Sequence, residues 1–361
     1  MRSRRSAARR TLPVLVAVGC LALSACVGTS QPAPDVRATD ATGDAELLRL
    51  IRPSFLAETD RVAVAVIDGD EVRRAFLDAD ETTVFEIGSI TKVFTGELLA
   101  EAVERGEVEL DDELGDHLDL GDAPAASVTL RDLAAHRGGL PIFPTDPEWV
   151  EQAQADVDAG GDGVDETVDE LLELTRTVEV QPEQGFGYSN LGAALVGQAL
   201  AEAAGTDYPT LLSERLFEPL GLDGASLPID DGDVDPQHAG GFGADGSPAE
   251  PSSLGAFAPA GGIHATVDDL VAFASAVIDG PLTDSAAQAD TVEGGGGGAQ
   301  IGYFWSVDDD RDHVILSHNG MTGGFTSIMV IDRTAGTAAI VLANRSESVD
   351  DVGYDLLAQF G

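Results

Sequence analysis

Segments with β-strand character occur at both ends of the chain, whereas helical patterns fill the middle. "RVAVAVID" and "EVRRAFLDA" flank the turn "DGD" near the start, which predicts an antiparallel hairpin. Near the end, further strands are predicted over four segments, "QIGYFWSV", "DHVILSH", "FTSIMVID" and "TAAIVLAN". This order predicts an α/β (α+β) fold, in which the two terminal parts of the chain share one antiparallel sheet flanked by helices.

The helical middle, about residues 107–270, is predicted to form an inserted α-rich lobe. One of its helices ends at Gly205, a residue suited to a helix C-cap, and another begins at Thr266 with Asp269 placed for a capping box. The chain of 361 residues is 43% hydrophobic, which is enough for a large core. The α/β lobe would comprise about residues 44–106 and 271–361, and a cleft between the lobes is the expected place for a site.

The first 25 residues have the pattern of a signal peptide, because basic "MRSRRSAARR" precedes the short apolar stretch "TLPVLVAVGCLAL". The following "LSAC" resembles a bacterial lipobox, in which the cysteine, here Cys26, carries lipid and becomes the mature N-terminus. The alternative is an ordinary cleaved signal with a chance cysteine, and the arginine pairs leave Sec and Tat export both open. We expect a lipoprotein on the extracytoplasmic face of the cell membrane, with residues 26–43 as a flexible tether.

Cysteine content and net charge exclude several kinds of chemistry. Cys20 would leave with the signal peptide and Cys26 would carry lipid, so the folded domain would have no disulfide, thiol nucleophile or thiolate metal site. The net charge is −44, and loss of the five arginines in residues 1–25 makes it −49 (−44 − 5). Such a charge repels phosphates, which excludes nucleic acid as a partner.

Two patterns invite a metal assignment, and both are weak. The acidic loop 156–169 roughly follows an EF-hand calcium loop at Asp158, Asp162, Gly163 and Asp169. However, Gly160 occupies a ligand position and Asp169 replaces the bidentate glutamate, so a solvated loop is favoured over calcium. The histidines outside the motifs below are scattered without ligand spacing: His117, His136, His238, His264 and His313. We therefore assign no metal and no cofactor.

Lys92 is the only lysine in the chain, and it follows Ser89 by three residues at the start of an apolar helical run, "FEIGSITKVFTG". Residues three apart on a helix lie on the same face, so the two side chains would be neighbours. A lysine with its ordinary pKa of about 10.4 is a poor base. Burial beside a positive helix end would lower that pKa and let Lys92 accept the serine proton, which an arginine could not do.

Two further motifs lie far from this pair in the chain. Tyr188-Ser189-Asn190 precedes a predicted helix; the Tyr188 phenol could have its pKa lowered by a nearby lysine and shuttle protons, and Asn190 could bond Lys92 and a substrate amide. His318-Asn319-Gly320 ends a predicted strand, where glycines let a substrate lie close to the sheet edge. Each motif alone is common, but the three in this order are far more specific.

Together the motifs resemble those of the serine β-lactamase and penicillin-recognising DD-peptidase superfamily, specifically its class C-like branch, which includes many esterases. The resemblance runs from about residue 44 to 345 and includes "TLRDLAAHRGGLP" and "HNGMTGGF". It implies a β-lactamase/transpeptidase-like fold, with Ser89 as the acylated nucleophile, Lys92 and Tyr188 as the proton-transfer pair and Asn190 as an anchor for lysine and substrate. It also implies an oxyanion hole formed by the backbone N–H groups of Ser89 and Met321.

Two positions depart from the family pattern. Class C β-lactamases have Lys-Thr-Gly where this chain has His318-Asn319-Gly320, and DD-peptidases and esterases of the branch often have histidine there; relatives also often have serine at Gly138. The resemblance implies an exported serine hydrolase acting on D-Ala-D-Ala-type cell-wall peptides, or a β-lactamase-related hydrolase. The alternatives are a carboxylesterase and a penicillin-binding sensor or scaffold with little turnover. The expected partner is a small molecule or a peptidoglycan peptide, bound by a monomer.

Overall fold

Thirteen strands are present in the computed structural model, which describes residues 40–181, 183, 185–294, 299–309 and 312–361. In chain order they are β1 (Ala41–Gly43), β2 (Val62–Asp68), β3 (Glu71–Leu77), β4 (Phe85–Glu86), β5 (Gly241–Phe242), β6 (Pro248–Ala249), β7 (His264–Ala265), β8 (Val292–Glu293), β9 (Gln300–Ile301), β10 (Ser306–Asp309), β11 (Val314–Met321), β12 (Thr326–Asp332) and β13 (Thr337–Ala343). Nine of them form one antiparallel sheet in the order β1-β3-β2-β13-β12-β11-β10-β9-β8. The other four pair as β4 with β7 and β5 with β6.

The two terminal parts of the chain meet in the middle of this sheet. β2 pairs with β13, from Val62 opposite Ala343 to Asp68 opposite Thr337. The prediction that both ends share one antiparallel sheet is therefore confirmed. Both strands are continuous apolar runs that are buried along nearly their whole length, which is typical of strands covered on both faces.

Helices lie on both faces of the sheet. In chain order they are α1 (Ala45–Ile51), α2 (Thr91–Glu104), α3 (Leu114–His117), α4 (Leu130–Ala134), α5 (Pro147–Ala159), α6 (Val168–Arg176), α7 (Asn190–Ala204), α8 (Tyr208–Leu212), α9 (Glu218–Leu220), α10 (Ala258–Gly261), α11 (Val267–Asp279), α12 (Ala286–Ala289) and α13 (Asp350–Phe360). Within the described ranges, no helix combines the length and the apolar character that crossing a membrane requires.

Two hydrophobic cores form on the two faces. On one face α1 and α13 pack against side chains such as Val64, Val330 and Val341. On the other face a larger core joins the sheet to α2, α7 and α11. The start of α2 thus lies between the sheet and the helical part of the chain, which is where the cleft is predicted.

The helix-end signals act as predicted. The Thr266 hydroxyl accepts a hydrogen bond from the Asp269 N–H (3.2 Å), and the Asp269 carboxylate accepts one from the Thr266 N–H (2.8 Å), which is a capping box for α11. Gly205 ends α7 in the left-handed region with φ of 70°. The expected lobe boundary at residue 270 falls inside α11, and this helix packs against β2 and β13.

Two predictions are wrong in detail. The tether predicted over 26–43 is too long at its end, because Ala41–Gly43 pairs with Ala75–Leu77 as the edge strand of the sheet. Cys26 and the signal peptide lie outside the described residues. The strand predicted over "QIGYFWSV" is interrupted, because the chain bends between β9 and β10 and Phe304 has a left-handed φ of 65°.

Candidate active site

Ser89 lies in a short 3-10 turn, Gly88–Ile90, that leads directly into α2. The Lys92 ammonium, one turn further on, donates a hydrogen bond to the Ser89 hydroxyl at 3.0 Å. It also donates to the carbonyl of Ala260 at 2.5 Å, which ties the start of α2 to α10. The structure therefore brings Ser89 and Lys92 together with the geometry that their spacing predicts.

Lys92 is completely buried. Burial lowers the pKa of its ammonium to about 7, because a charged group in an apolar interior loses its hydration. Near neutral pH a substantial fraction of Lys92 is thus an uncharged amine. Such an amine can accept a proton from the hydroxyl to which it is bonded.

Tyr188 completes a group of three side chains around the same point. Its phenol hydrogen-bonds the Ser89 side chain, and Lys92 Nζ lies 5.0 Å from the centre of its ring. The prediction of a lowered Tyr188 pKa is wrong: burial raises the pKa, and the bond to Ser89 only partly offsets this. The phenol is therefore protonated at neutral pH and suited to donating a proton.

Asn190 is the first residue of α7, and its N–H donates to the carbonyl of Ile142 at 3.0 Å. Its side chain is half-buried. Within the described residues, the hydrogen bonds of the Lys92 ammonium go to Ser89 and Ala260 rather than to Asn190. The predicted anchoring of Lys92 by Asn190 is thus not found in this structure.

Two glycines let the Ser89 turn approach the end of β11. Gly88 has φ of 51°, and a Cβ atom there would lie 2.7 Å from the Met321 nitrogen. A Cβ atom on Gly320 would lie 1.9 Å from the Ile87 carbonyl oxygen. Side chains at either position would separate the two segments. The contact places the main chain of Met321, whose side chain is 57% exposed, beside the Ser89 turn.

His318 lies in β11, opposite Met329 of β12. Its Nδ1 lies 2.7 Å from the Asn319 carbonyl oxygen, which assigns the proton of the neutral ring to Nδ1 and leaves Nε2 as an acceptor. Burial, followed by the charge of nearby Lys92, lowers the pKa of His318 to about 4. At neutral pH His318 is therefore uncharged, unlike the lysine of Lys-Thr-Gly enzymes.

The structure also gathers residues that the sequence analysis leaves apart. Ligand atoms of Glu86, His238 and His264 lie within 4.8 Å of one another, and Glu86 precedes Ser89 by three residues. The Glu86 carboxylate faces His238 Nε2 at 3.1 Å and accepts from the Ser252 N–H at 2.9 Å. The description of these histidines as scattered is thus wrong, because folding brings them together on segments that no spacing rule connects.

The hydrogen bonds of this trio test whether it suits a metal. The Gly240 N–H donates to His238 Nδ1 at 3.2 Å, so the proton of the neutral ring is on Nε2, where Glu86 accepts it. A metal ion on Nε2 would leave the ring with no proton on either nitrogen, a state that proteins avoid. The donor set therefore fits a hydrogen-bonded cluster better than a metal centre.

The acidic loop does not converge as a calcium loop would. Asp158 lies on α5 and accepts from the Gln154 amide at 2.9 Å, and Asp169 lies in the first turn of α6. Asp162 instead accepts a hydrogen bond from the main chain of Gly323. Among the described residues, none of the three belongs to a group of side chains placed to share a metal ion.

The site and its framework define a class of protein. A serine at the start of a buried helix, bonded to a lysine that can lose its charge and placed beside an antiparallel sheet, is the arrangement of serine hydrolases with a β-lactamase/transpeptidase-like fold. The family model described as Beta-lactamase matches residues 55–360, and the chain belongs to this family.

Two relatives are similar along most of their length. Penicillin-binding protein 4 of Amycolatopsis lactamdurans is 27% identical over 289 residues, which cover 73% of this chain and 72% of that protein. The D-alanyl-D-alanine-carboxypeptidase/endopeptidase AmpH of Escherichia coli is 23% identical over 332 residues, which cover 79% of each. The protein is thus a β-lactamase-family serine hydrolase related to DD-carboxypeptidases and class C β-lactamases.

Solved structures share its fold. A class C β-lactamase from Rhodobacter sphaeroides superimposes with a TM-score of 0.68 at 24% identity, over 83% of this chain and 94% of that chain. A penicillin-binding protein from Bacillus halodurans superimposes with a TM-score of 0.71 at 20% identity, over 82% and 96%. The β-lactamase/transpeptidase-like fold implied by the motifs is confirmed.

Proposed function

We propose that the protein is an exported hydrolase that forms an acyl-enzyme at Ser89, with D-Ala-D-Ala-type cell-wall peptides as its substrates. The observation that carries the proposal is the bond between the Ser89 hydroxyl and a fully buried Lys92 whose pKa is about 7. A serine hydroxyl becomes a nucleophile at neutral pH when an adjacent base accepts its proton. Lys92 is such a base.

The geometry supports a definite sequence of proton movements. Lys92 takes the Ser89 proton as the Ser89 oxygen attacks the substrate carbonyl, and a tetrahedral intermediate forms. Its negative oxygen would be bound by the backbone N–H groups of Ser89 and Met321, an arrangement in keeping with the close approach of their segments. Tyr188, whose phenol is protonated at neutral pH, would donate that proton to the leaving amine. A water molecule then hydrolyses the acyl-enzyme, with the same groups acting in reverse.

The peptide substrate is favoured by the relatives. The name of the Escherichia coli protein describes a carboxypeptidase and endopeptidase for D-alanyl-D-alanine, and the similarity covers 79% of both chains. In the Lys-Thr-Gly enzymes a permanent cation faces the β-lactam carboxylate, whereas His318 is neutral at pH 7. Because a D-Ala-D-Ala peptide also ends in a carboxylate, this difference does not separate it from a β-lactam, and the ranking of peptides first rests on the relatives.

A carboxylesterase is the second candidate, and the neutral His318 is the observation that favours it. An ester with no carboxylate near the scissile bond needs no cation at this position. A penicillin-binding sensor with little turnover is the third candidate. The presence of Ser89, Lys92 and Tyr188 in mutual contact favours turnover over a silent binder.

The place of action is proposed to be the outer face of the cell membrane. The support is the "LSAC" sequence after the apolar segment, which would supply a lipid-bearing Cys26. Mass spectrometry of the mature protein should find a lipid-modified Cys26, and Cys26→Ser should release the protein or impair its processing. An unmodified mature N-terminus within residues 27–43 would mean simple secretion instead.

Three probes tested side by side distinguish the candidate activities: a fluorescent penicillin, a p-nitrophenyl ester and a D-Ala-D-Ala peptide. Under the proposal the wild type releases D-alanine, and Ser89→Ala loses this turnover and covalent labelling together. Faster turnover of the ester with no release of D-alanine would establish the second candidate. Substantial labelling of Ser89→Ala would show that Ser89 is not the nucleophile.

A further inference from the structure

Left-handed backbone at residues other than glycine occurs twice in the cluster of rings around Tyr188. Among the described residues only three that are not glycine have positive φ, namely Asp78 (45°), His136 (55°) and Phe304 (65°). Two of them touch, because the rings of His136 and Phe304 lie 5.2 Å apart between centres. Such conformations are disfavoured for residues with a side chain and persist where the surrounding structure enforces them, often at functional sites.

The position of His136 is one that normally requires glycine. It follows the last turn of α4, where its N–H donates to the Leu133 carbonyl at 3.0 Å and the next N–H, of Arg137, donates to the Asp132 carbonyl at 2.6 Å. This pair of bonds is the Schellman motif, whose left-handed residue is usually glycine. A histidine at this position therefore indicates that its side chain has a use of its own.

His136 bonds to the residues on both sides of Tyr188. Its carbonyl accepts the Gly187 N–H at 2.7 Å, and its Nδ1 accepts the Ser189 N–H at 3.2 Å. Between these two bonds its ring packs against the Tyr188 ring, with centres 4.5 Å apart and planes inclined by 37°. The carbonyl, the Nδ1 atom and the ring of His136 thus all contact Tyr188 or a residue next to it.

Phe304 supports the histidine from behind. Its N–H donates to the Ala134 carbonyl at 2.7 Å, at the end of the same helix, α4. Its side chain is buried and meets the His136 ring at an angle of 61°. The His136 ring is therefore held between Phe304 and Tyr188 and has little freedom to turn.

The bonds of His136 also fix its protonation. Because Nδ1 accepts from Ser189, the neutral ring carries its proton on Nε2. Burial, followed by the charges of Lys92 and then His318, holds the pKa of His136 well below its ordinary value. The ring is thus neutral throughout the range in which Lys92 titrates, so Nδ1 remains available as an acceptor.

We propose that His136 is the positioning residue for Tyr188: by bonding Gly187 and Ser189 and packing on the Tyr188 ring, it fixes the phenol against Ser89 and Lys92. This inference rests on the proposed function, in which the phenol donates a proton at Ser89. Small displacements of such a group are costly, since a misplacement of about 1 Å can slow a reaction by about a hundredfold.

Two substitutions of His136 separate its hydrogen bond to Ser189 from its ring packing on Tyr188. His136→Phe keeps a ring but loses the Nδ1 acceptor, whereas His136→Asn keeps an acceptor and tolerates left-handed backbone but loses the ring. Asp78→Gly is a control for a change at a left-handed residue, because Asp78 is not part of the site. We expect His136→Phe to slow acylation by the fluorescent penicillin at least about tenfold, His136→Asn to lose less, and Asp78→Gly to match the wild type.

A double-mutant cycle with Tyr188→Phe provides the decisive measurement. If His136 acts through Tyr188, His136→Phe should slow the Tyr188→Phe enzyme by less than about twofold, although it slows the wild type strongly. An equal slowing in both backgrounds, in variants with native circular dichroism, would overturn the inference. Should His136→Phe not fold, the same cycle is run with His136→Asn.

Acylation of the wild type distinguishes a failure of the proposed function from a failure of the positioning role. If no probe acylates wild-type Ser89, the proposed function is wrong and the positioning role falls with it. If Ser89 is acylated and the cycle is additive, only the positioning role is overturned. Unchanged acylation in folded His136→Phe would have the same meaning as additivity.

Discussion

At the scale of single residues, the proposed chemistry depends on one amine, which burial has stripped of its hydration. Lys92 is fully buried, and its bonds go to the Ser89 hydroxyl and the Ala260 carbonyl. No other lysine exists in the chain, and the remaining basic side chains that are always charged are arginines. An arginine in this position would keep its proton at any pH at which the protein is folded.

Lys92→Arg should therefore lower kcat/KM by on the order of a hundredfold or more, because it removes a proton acceptor while keeping the charge. The change is measured as the acylation rate with a fluorescent penicillin and as ester turnover, after thermal unfolding has shown that the variant is folded. If folded Lys92→Arg kept most of its kcat/KM, Lys92 would not be the base.

The protonation of His318 can be tested by following a ratio of two kcat/KM values as pH is changed. Its pKa of about 4, lowered by burial and then by Lys92, means that its positive charge is present only in acid. The ratio of kcat/KM for a carboxylate-bearing substrate to that for a neutral ester should therefore be flat from about pH 5 to 9. Taking the ratio cancels the titration of Lys92, which both substrates need.

His318→Lys supplies the comparison, since it adds a permanent charge. We expect it to raise the same ratio by about tenfold, which corresponds to ~1 to 2 kcal/mol for a charge-assisted bond. A wild-type ratio that falls between pH 6 and 8 would show instead that His318 titrates near its ordinary pKa and recognises the carboxylate.

The sequence predicts those residues of the site that belong to local motifs. Ser89 and Lys92 are three apart on a helix, and Tyr188 and His318 belong to short segments with recognisable chemistry. The contacts of His136 with the Tyr188 segment, and of Glu86 with His238, join loops and turns far apart in the chain. No periodicity encodes such contacts, and the protonation of each imidazole depends on partners that only the folded chain supplies.

At the scale of elements, α2 is held in place by a buried carboxyl group. Glu97 accepts hydrogen bonds at 2.9 Å from the Gln288 amide and from the Trp305 indole N–H, and it also bonds the Ser285 hydroxyl. Burial raises the pKa of Glu97 in spite of these donors. The orientation of α2, which carries Lys92 and directly follows the Ser89 turn, thus depends in part on this group.

Glu97→Gln tests the cost of that burial. A glutamine keeps an oxygen for Trp305 and Gln288 and offers its amide to Ser285. Because the folded pKa of Glu97 lies above the unfolded one, its favourable contribution is complete below the unfolded pKa and is lost as pH rises through the folded value. Relative to wild type, Glu97→Gln should be more stable at pH 8 by about 1 kcal/mol and lose this advantage near pH 4.

Urea denaturation across that pH range measures the difference. Glu104→Gln is the matched control, since Glu104 lies on the same helix and is exposed. A loss of stability in Glu97→Gln that is equal at all pH values would mean that folding leaves the pKa of Glu97 unchanged, and a loss that grows with pH would mean that the carboxylate form makes the stronger bonds.

The sequence predicts some helices and strands more accurately than others. Helix ends with their own chemistry, such as the Thr266 capping box and Gly205, fall where predicted. Residues 302–305 are predicted to be a strand because most of them are aromatic. In the structure the chain bends there, and the three aromatic side chains are buried in the core. Apolar character predicts burial there, and the backbone conformation follows from tertiary contacts.

At the scale of the whole molecule, the dominant feature is excess negative charge. The chain has 64 acidic and 20 basic residues other than histidine. A net charge this far from zero destabilises the compact state through self-repulsion, and salt screens that repulsion. Raising sodium chloride to about 0.5 M should raise Tm by a few degrees, which corresponds to ~1 kcal/mol.

Thermal unfolding followed by circular dichroism measures this shift. A non-ionic solute at equal osmolality is the control, because it changes hydration without screening charge. A Tm that falls as salt is added would mean that attractive ion pairs outweigh the repulsion.

The pairing of β2 with β13 also governs how the protein is made. Residues 62–68 leave the ribosome long before their partners in β13, residues 337–343. Until then the hairpin of β2 and β3 has no neighbouring strand on the side of β2 that becomes the middle of the sheet. The Ile87 carbonyl also lacks the hydrogen bond that it accepts from the Ser327 hydroxyl at 2.8 Å. Contacts between such distant parts of a chain form slowly. A chain interrupted before residues 337–343 would therefore lack the middle of the sheet beside which the Ser89 turn lies, so the active site cannot be assembled from the earlier residues alone.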